Sequence, residues 1–219
     1  LAIQAHNIHQ ACRTNLVILR WRTPGNPDRA DHLAFRDDRH PTRHGDAGSR
    51  HDMPKQEGLA NLTARLLTYG TQRRTALQIS ETLDFIGAGL SAGCGEDLAT
   101  VSMTVLKKDL ATGIELLAEV LTLSTFPQEE IDRQKQSIIA SIKAREENPG
   151  DIAQRRFAAA LYPQSPYGRP VEGSEASVKG LEQQSLRAFY ERYYRPNRTI
   201  LSVVGDISHQ EIARALNEV

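Results

Sequence analysis

The chain is short of the features that would assign it quickly to a class. Among its 219 residues are only two cysteines, one tryptophan and two methionines, and aromatic residues make up 5%. Cys12 and Cys94 are too few for a disulfide framework and lack metal-site spacing. Cys94 lies between Gly93 and Gly95 in a strand-like segment, which marks it as a small half-buried side chain rather than a nucleophile. Charge of one sign is missing as well: 27 basic residues balance 27 acidic ones at a pI near 7.2, so there is no electrostatic footprint for nucleic acid. No apolar run approaches the roughly 20 residues that span a bilayer, and no signal peptide opens the sequence. Leu1 in place of Met reads as an incomplete or processed start. These features suit a soluble protein, periplasmic or cytoplasmic, and leave its compartment open.

What is present suits a globular fold. Hydrophobic residues at 39% and charged residues at 25% can build a core, and the length allows one large domain or two small ones. Leu59, Leu62, Leu66 and Leu67 recur at helical spacing before Gly70, and Thr75 to Ile86 predicts a second helix stopped by Gly87. Leu98 to Leu106 alternates as a strand does, after the turn-prone Gly93 to Asp97. Leu110 to Leu123 and Gln128 to Glu147 predict helices, the second ended by Asn148-Pro-Gly150. Further helices are predicted at Asp151 to Leu161 and Gln183 to Tyr194, a buried strand at Thr199 to Val204, and a last helix capped by Ser208. This order predicts an α+β fold: one mixed or antiparallel β-sheet with helices packed on one face.

Several segments together carry a resemblance. They are Ala47-Gly-Ser-Arg50, Gly58-Leu-Ala-Asn-Leu-Thr-Ala-Arg-Leu66, Tyr69-Gly-Thr71, Leu106-Lys-Lys-Asp-Leu110, Phe126-Pro127, Pro166-Tyr-Gly-Arg-Pro170 with Gly173, and Tyr193-Tyr-Arg-Pro-Asn197 before Val203-Val-Gly-Asp206. In order and spacing the chain from about residue 46 onward resembles the N-terminal half of the pitrilysin/insulinase zinc peptidases, the processing-peptidase-like members in particular. In active members the helix reads Gly-Leu-Ala-His-x-x-Glu-His, two His holding zinc and the Glu activating its water. Carried over by position, the first His falls at Asn61, the general base at Ala64 and the second His at Arg65. The third ligand, a Glu, falls at Ser141, or at Ala140 if the register shifts by one. An amide is a poor zinc ligand beside imidazole, a methyl accepts no proton, and a guanidinium repels a divalent cation.

The resemblance therefore implies a degenerate zinc motif, no bound zinc and no catalytic residue in this chain, the N-terminal peptidase-like domain of a non-catalytic homologue over residues 46–219. It implies a partner too: a zinc-bearing paralogous subunit with which the chain completes a peptide-binding chamber. The alternatives are a zinc-dependent metalloendopeptidase by homology, or a truncated product of a damaged gene. Arg65 would then occupy the vacated position and pair with a carboxylate.

Residues 1–45 read differently, being crowded with Arg, His, Pro and Asp and almost without periodicity. They form an aberrant or disordered segment where relatives of this kind carry a β-hairpin, and only Leu16 to Trp21 looks able to form a strand there. Any DNA encoding Asp37-Asp-Arg-His-Pro-Thr-Arg-His44, read one base later, permits Met-Ile-Asp-Ile-Arg-Leu-Val-Met, an alternating apolar strand, which points to a frameshift. A metal-binding arm built from His6, His9, His32, His40 and His44 is the weaker reading, since no pair has ligand spacing on a regular element. The charges on Glu129, Glu130, Asp132, Arg133 and Lys135 read as the solvated side of a helix whose apolar face is Ile131, Ile138, Ile139 and Ile142. Arg145, Glu146 and Glu147 suit ion pairs near its end.

Overall fold

The computed structural model describes residues 30–36, 47–195, 199–204, 207 and 209–217. Strands β1 (Ala30–Arg36), β2 (Gly89–Cys94), β3 (Ala99–Leu106) and β4 (Ile200–Val204) form one sheet in the order β2-β3-β1-β4, every neighbouring pair antiparallel. β2 and β3 are a hairpin closed by Gly95 N–H donating to Leu98 O at 2.8 Å, with Gly89 opposite Thr104 and Cys94 opposite Ala99. In β3 the alternation written in the sequence becomes two faces: Ala99, Val101, Met103 and Val105 are buried, and Thr100 between them is exposed.

The helices pack on that apolar face. α1 (Leu59–Leu66) lies against β2 and β3, and α3 (Leu110–Thr122) against β3. Local signals explain where helices begin and end. α2 (Ala76–Ile86) opens on a capping box in which the Thr75 hydroxyl accepts from Gln78 N–H and the Gln78 side chain accepts from Thr75 N–H, and it stops at Gly87. α4 (Gln128–Glu146) buries Ile131, Ile138 and Ile142 while Ile139 is half-buried, each fully buried side chain worth roughly 1.5–3 kcal/mol. Asn148 ends that run and caps α5 (Pro149–Leu161), its Oδ1 accepting from Gly150 N–H at 2.9 Å. The short α6 (Glu175–Lys179), which periodicity does not reveal, leads to α7 (Gln183–Tyr193), and α8 (His209–Asn217) closes the described chain. In α7 Leu186, Phe189 and Tyr193 are buried, Tyr193 stacking near Phe189 at 4.5 Å and His51 at 4.8 Å between ring centroids.

One expectation is corrected. β1 falls inside the segment where only Leu16 to Trp21 looked strand-forming, and it is a central strand, not a missing edge: Ala30 to Arg36 run opposite Leu106 to Thr100 of β3, and His32 to Arg36 opposite Val204 to Ile200 of β4. The physical reason is tertiary. Backbone N–H and C=O groups of β3 and β4 have to be paired, and that requirement recruits a segment whose own pattern is weak. Leu16–Trp21 and Asp37–His44 lie outside the described residues. Likewise Arg145 pairs not with its helical neighbours but with Glu172, while Glu146 meets Arg155 at 3.8 Å.

Candidate functional site

α1 is the helix to which the resemblance assigns the chemistry, and its start is held from three directions. Asp52 is buried, and its carboxylate accepts from Gly58 N–H at 2.8 Å and Ala60 N–H at 2.9 Å, satisfying two of the donors that a helix start leaves open. Burial pushes the Asp52 carboxyl up to about 6, against the pull of those two N–H groups and of Arg169. Gly58 adopts φ 94°, and a Cβ there would lie 2.5 Å from Glu172 O; Gly173, at φ 78°, would bring a Cβ to 2.1 Å from Glu57 O. The two backbones touch where only glycine fits. Arg169 ties the same junction from outside, donating to Asp52 O at 3.3 Å and pairing with Glu57 at 3.7 Å, and Glu172 is tied to α4 through Arg145.

On this anchored helix Asn61 is 7% exposed, Ala64 is fully buried and Arg65 is half-buried. Asn61 and Arg65, four residues apart, share a helical face. α1 packs against α4, on which Ser141 is half-buried and Ala140 exposed. The two helices that carry the assigned positions are thus in contact. The side chains at the assigned positions are an amide, a methyl, a guanidinium and a hydroxyl, a donor set that does not fit zinc. Among the described residues no group of three or more His, Cys, Asp or Glu is placed to hold a metal ion. The carboxylate partner expected for Arg65 is not found: among the described residues its guanidinium makes no ion pair and no hydrogen bond. Burial of α1 explains why, since nearly every side chain around it is apolar.

Cys94, half-buried, donates to Gly95 O at 3.0 Å, and burial pushes its thiol up to about 12, so it is protonated and unreactive at neutral pH. Sequence reasoning missed Asp52 and the Glu57–Gly58 against Glu172–Gly173 contact. The only signal was an acidic residue shortly before a Gly-led helix and a second glycine near residue 170.

Comparison with known proteins agrees with this architecture. A solved structure described as a peptidase M16 inactive domain from Pseudomonas fluorescens superposes with a TM-score of 0.79 at 24% identity, covering 89% of this chain and 45% of that one. The fold is thus that of one half of a pitrilysin-like protein. The model of the insulinase family, peptidase family M16, matches residues 46–175 and that of the peptidase M16 inactive domain matches residues 180–219, so the chain belongs to peptidase family M16. Proteins named as uncharacterized zinc proteases are similar to it: one of Streptomyces coelicolor at 30% identity over 76% of this chain and 36% of its own length, and one of Bacillus subtilis at 30% over 74% and 39%. The chain thus spans well under half the length of those relatives. No helix among the described residues is long and apolar enough to cross a membrane.

Proposed function

We propose that this chain is a non-catalytic member of peptidase family M16 that pairs with a zinc-bearing paralogue to complete a peptide-binding chamber. The observation that carries the reading is the donor set of Asn61, Ala64, Arg65 and Ser141 on two packed, otherwise family-like helices. An enzyme of this class needs imidazole and carboxylate ligands to bind zinc and a base to deprotonate its water, and none of these four side chains supplies either. Asp52, Gly58 and Gly173 anchor α1 firmly although its assigned positions carry no zinc ligand, which suits a scaffold used for assembly. Metal content and peptidase activity of the purified chain, alone and mixed with a zinc-motif paralogue from the same source, test the proposal. No zinc and no hydrolysis alone, with faster hydrolysis by the mixture, is the expected result. Stoichiometric zinc with hydrolysis by the chain alone would overturn it.

The second reading, zinc-dependent metalloendopeptidase, is favoured by the names of the similar proteins, which are zinc proteases. The same experiment separates the two. A damaged gene is the third, favoured by the composition of residues 1–45; sequencing the gene across the codons for Asp37 to His44 decides whether the frame shifts there.

A further inference from the structure

The geometry points to a binding site for the C-terminal residue of a peptide at Asn61 and Arg65, an inference that rests on the peptide-binding reading above. Every residue of α1 except Arg65 is buried. Asn61 is among them, and its Oδ1 accepts no hydrogen bond among the described residues. An orphaned buried acceptor costs roughly 1–3 kcal/mol, so it calls for an explanation. Its neighbour Thr63 has none to give, because that hydroxyl donates to Leu59 O at 2.8 Å in the ordinary helical manner.

Arg65 is the companion anomaly. The other half-buried arginines among the described residues each meet a carboxylate: Arg50 meets Asp97 at 2.9 Å, Arg74 meets Glu115 at 3.2 Å, Arg155 meets Glu146 at 3.8 Å and Arg169 meets Glu57 at 3.7 Å. Arg65 alone of this set meets none. A guanidinium partly withdrawn from water, with its fork of donors unused, is matched to a planar carboxylate, which it binds through two parallel N–H donors.

The two groups are one helical turn apart on one face, with about 5–6 Å between their Cβ atoms. A ligand satisfying both has to bring a carboxylate to Arg65 and an N–H donor to Asn61 Oδ1 within a few ångströms of each other. The last residue of a peptide has both, since its backbone N–H and its terminal carboxylate are separated by a single Cα. A glutamate or aspartate side chain answers Arg65 alone, its own backbone N–H lying further off, and a small inorganic anion has no N–H at all. Because Arg65 is the one residue of α1 with substantial exposure, the ligand enters on the Arg65 side and meets Asn61 behind it.

The test is a titration of the full chain with a fluorescein-labelled hexapeptide that has no acidic side chain, as the free acid and as the C-terminal amide. A third peptide, amidated and carrying one internal Glu, is titrated in parallel. The free acid is expected to bind about tenfold or more tighter than the amide. Arg65→Gln should remove that preference, and Asn61→Leu should weaken free acid and amide alike, by a smaller factor. Acid and amide binding equally to the wild-type chain would overturn the site, and this comparison needs no variant to fold. The internal-Glu peptide matching the free acid would overturn it also, in favour of an acidic side chain. Stimulation of the zinc-bearing paralogue, measured on the same preparation, keeps the outcomes apart. Stimulation without C-terminal preference leaves the pairing proposal standing and removes only this site. Neither binding nor stimulation sinks both.

Discussion

Asp52 is the residue whose surroundings make the sharpest demand. It is buried, its carboxylate holds two N–H groups at the start of α1, and burial lifts its carboxyl to about 6 from an ordinary value of 3.8. The folded chain therefore binds more protons than the unfolded chain between those values. The stabilising contribution of this group is fully present below about 3.8 and is lost as the pH rises through about 6. Denaturation in urea at a series of pH values, wild type against Asp52→Asn, should show the wild type losing roughly 2–3 kcal/mol relative to the variant between pH 4 and 7. A difference that grows in the opposite direction would show that the carboxylate is stabilised as an anion. Gly173 makes a steric demand of the same strictness. With φ 78° and Glu57 O in the way of any Cβ, Gly173→Ala should destabilise by about 2 kcal/mol or more and loosen the start of α1, read as a lower urea midpoint with an unchanged slope.

Helices and strands are held by mixed means. β3 is the best example of a pattern carried through to packing: Met103 and Val101 are fully buried, and Met103→Ala should cost about 2–5 kcal/mol in urea denaturation, whereas Thr100→Ala on the exposed face should change little. The turn before α2 depends on a polar clamp that no periodicity announces. Glu119 of α3, 2% exposed, accepts from Thr71 Oγ1 and Arg74, and Arg74 reaches Glu115 at 3.2 Å as well. Removing the carboxylate with Glu119→Ala leaves the Thr71 hydroxyl only the Arg74 carbonyl at 3.2 Å as acceptor and Arg74 only Glu115 as carboxylate partner. A loss of roughly 1–3 kcal/mol is expected, and if the variant melts with the wild type, the clamp has no energetic weight. An ion pair such as Arg133 with Glu129, both well exposed, is expected to contribute little.

For the whole molecule the position of β1 matters most. It joins β3 to β4, so the hairpin of β2 and β3 and the strand that follows α7 belong to one sheet only through it. A chain lacking residues 1–36 should lose cooperative unfolding, followed by circular dichroism on heating; a cooperative transition at the same temperature would mean that β1 is dispensable.

Most of the elements from residue 59 onward were legible in the sequence, because helical spacing at Leu59, Leu62 and Leu66, alternation in β3, and stops at Gly87 and Asn148-Pro-Gly150 are local signals that require no knowledge of the rest. The identities at 61, 64, 65 and 141 were equally a matter of sequence. They determine which side chains stand on α1 and α4, and therefore that an amide and a guanidinium stand at the positions to which the resemblance assigns imidazole. What only tertiary structure decided is who meets whom. β1 became a central strand because two other strands offered unpaired backbone, Asp52 became a helix anchor because its carboxylate folds back onto the N–H groups of Gly58 and Ala60, and among the described residues Arg65 meets no carboxylate because its helix is packed into an apolar core. Those outcomes depend on desolvation and on contacts between residues far apart in the chain, and a local pattern contains neither.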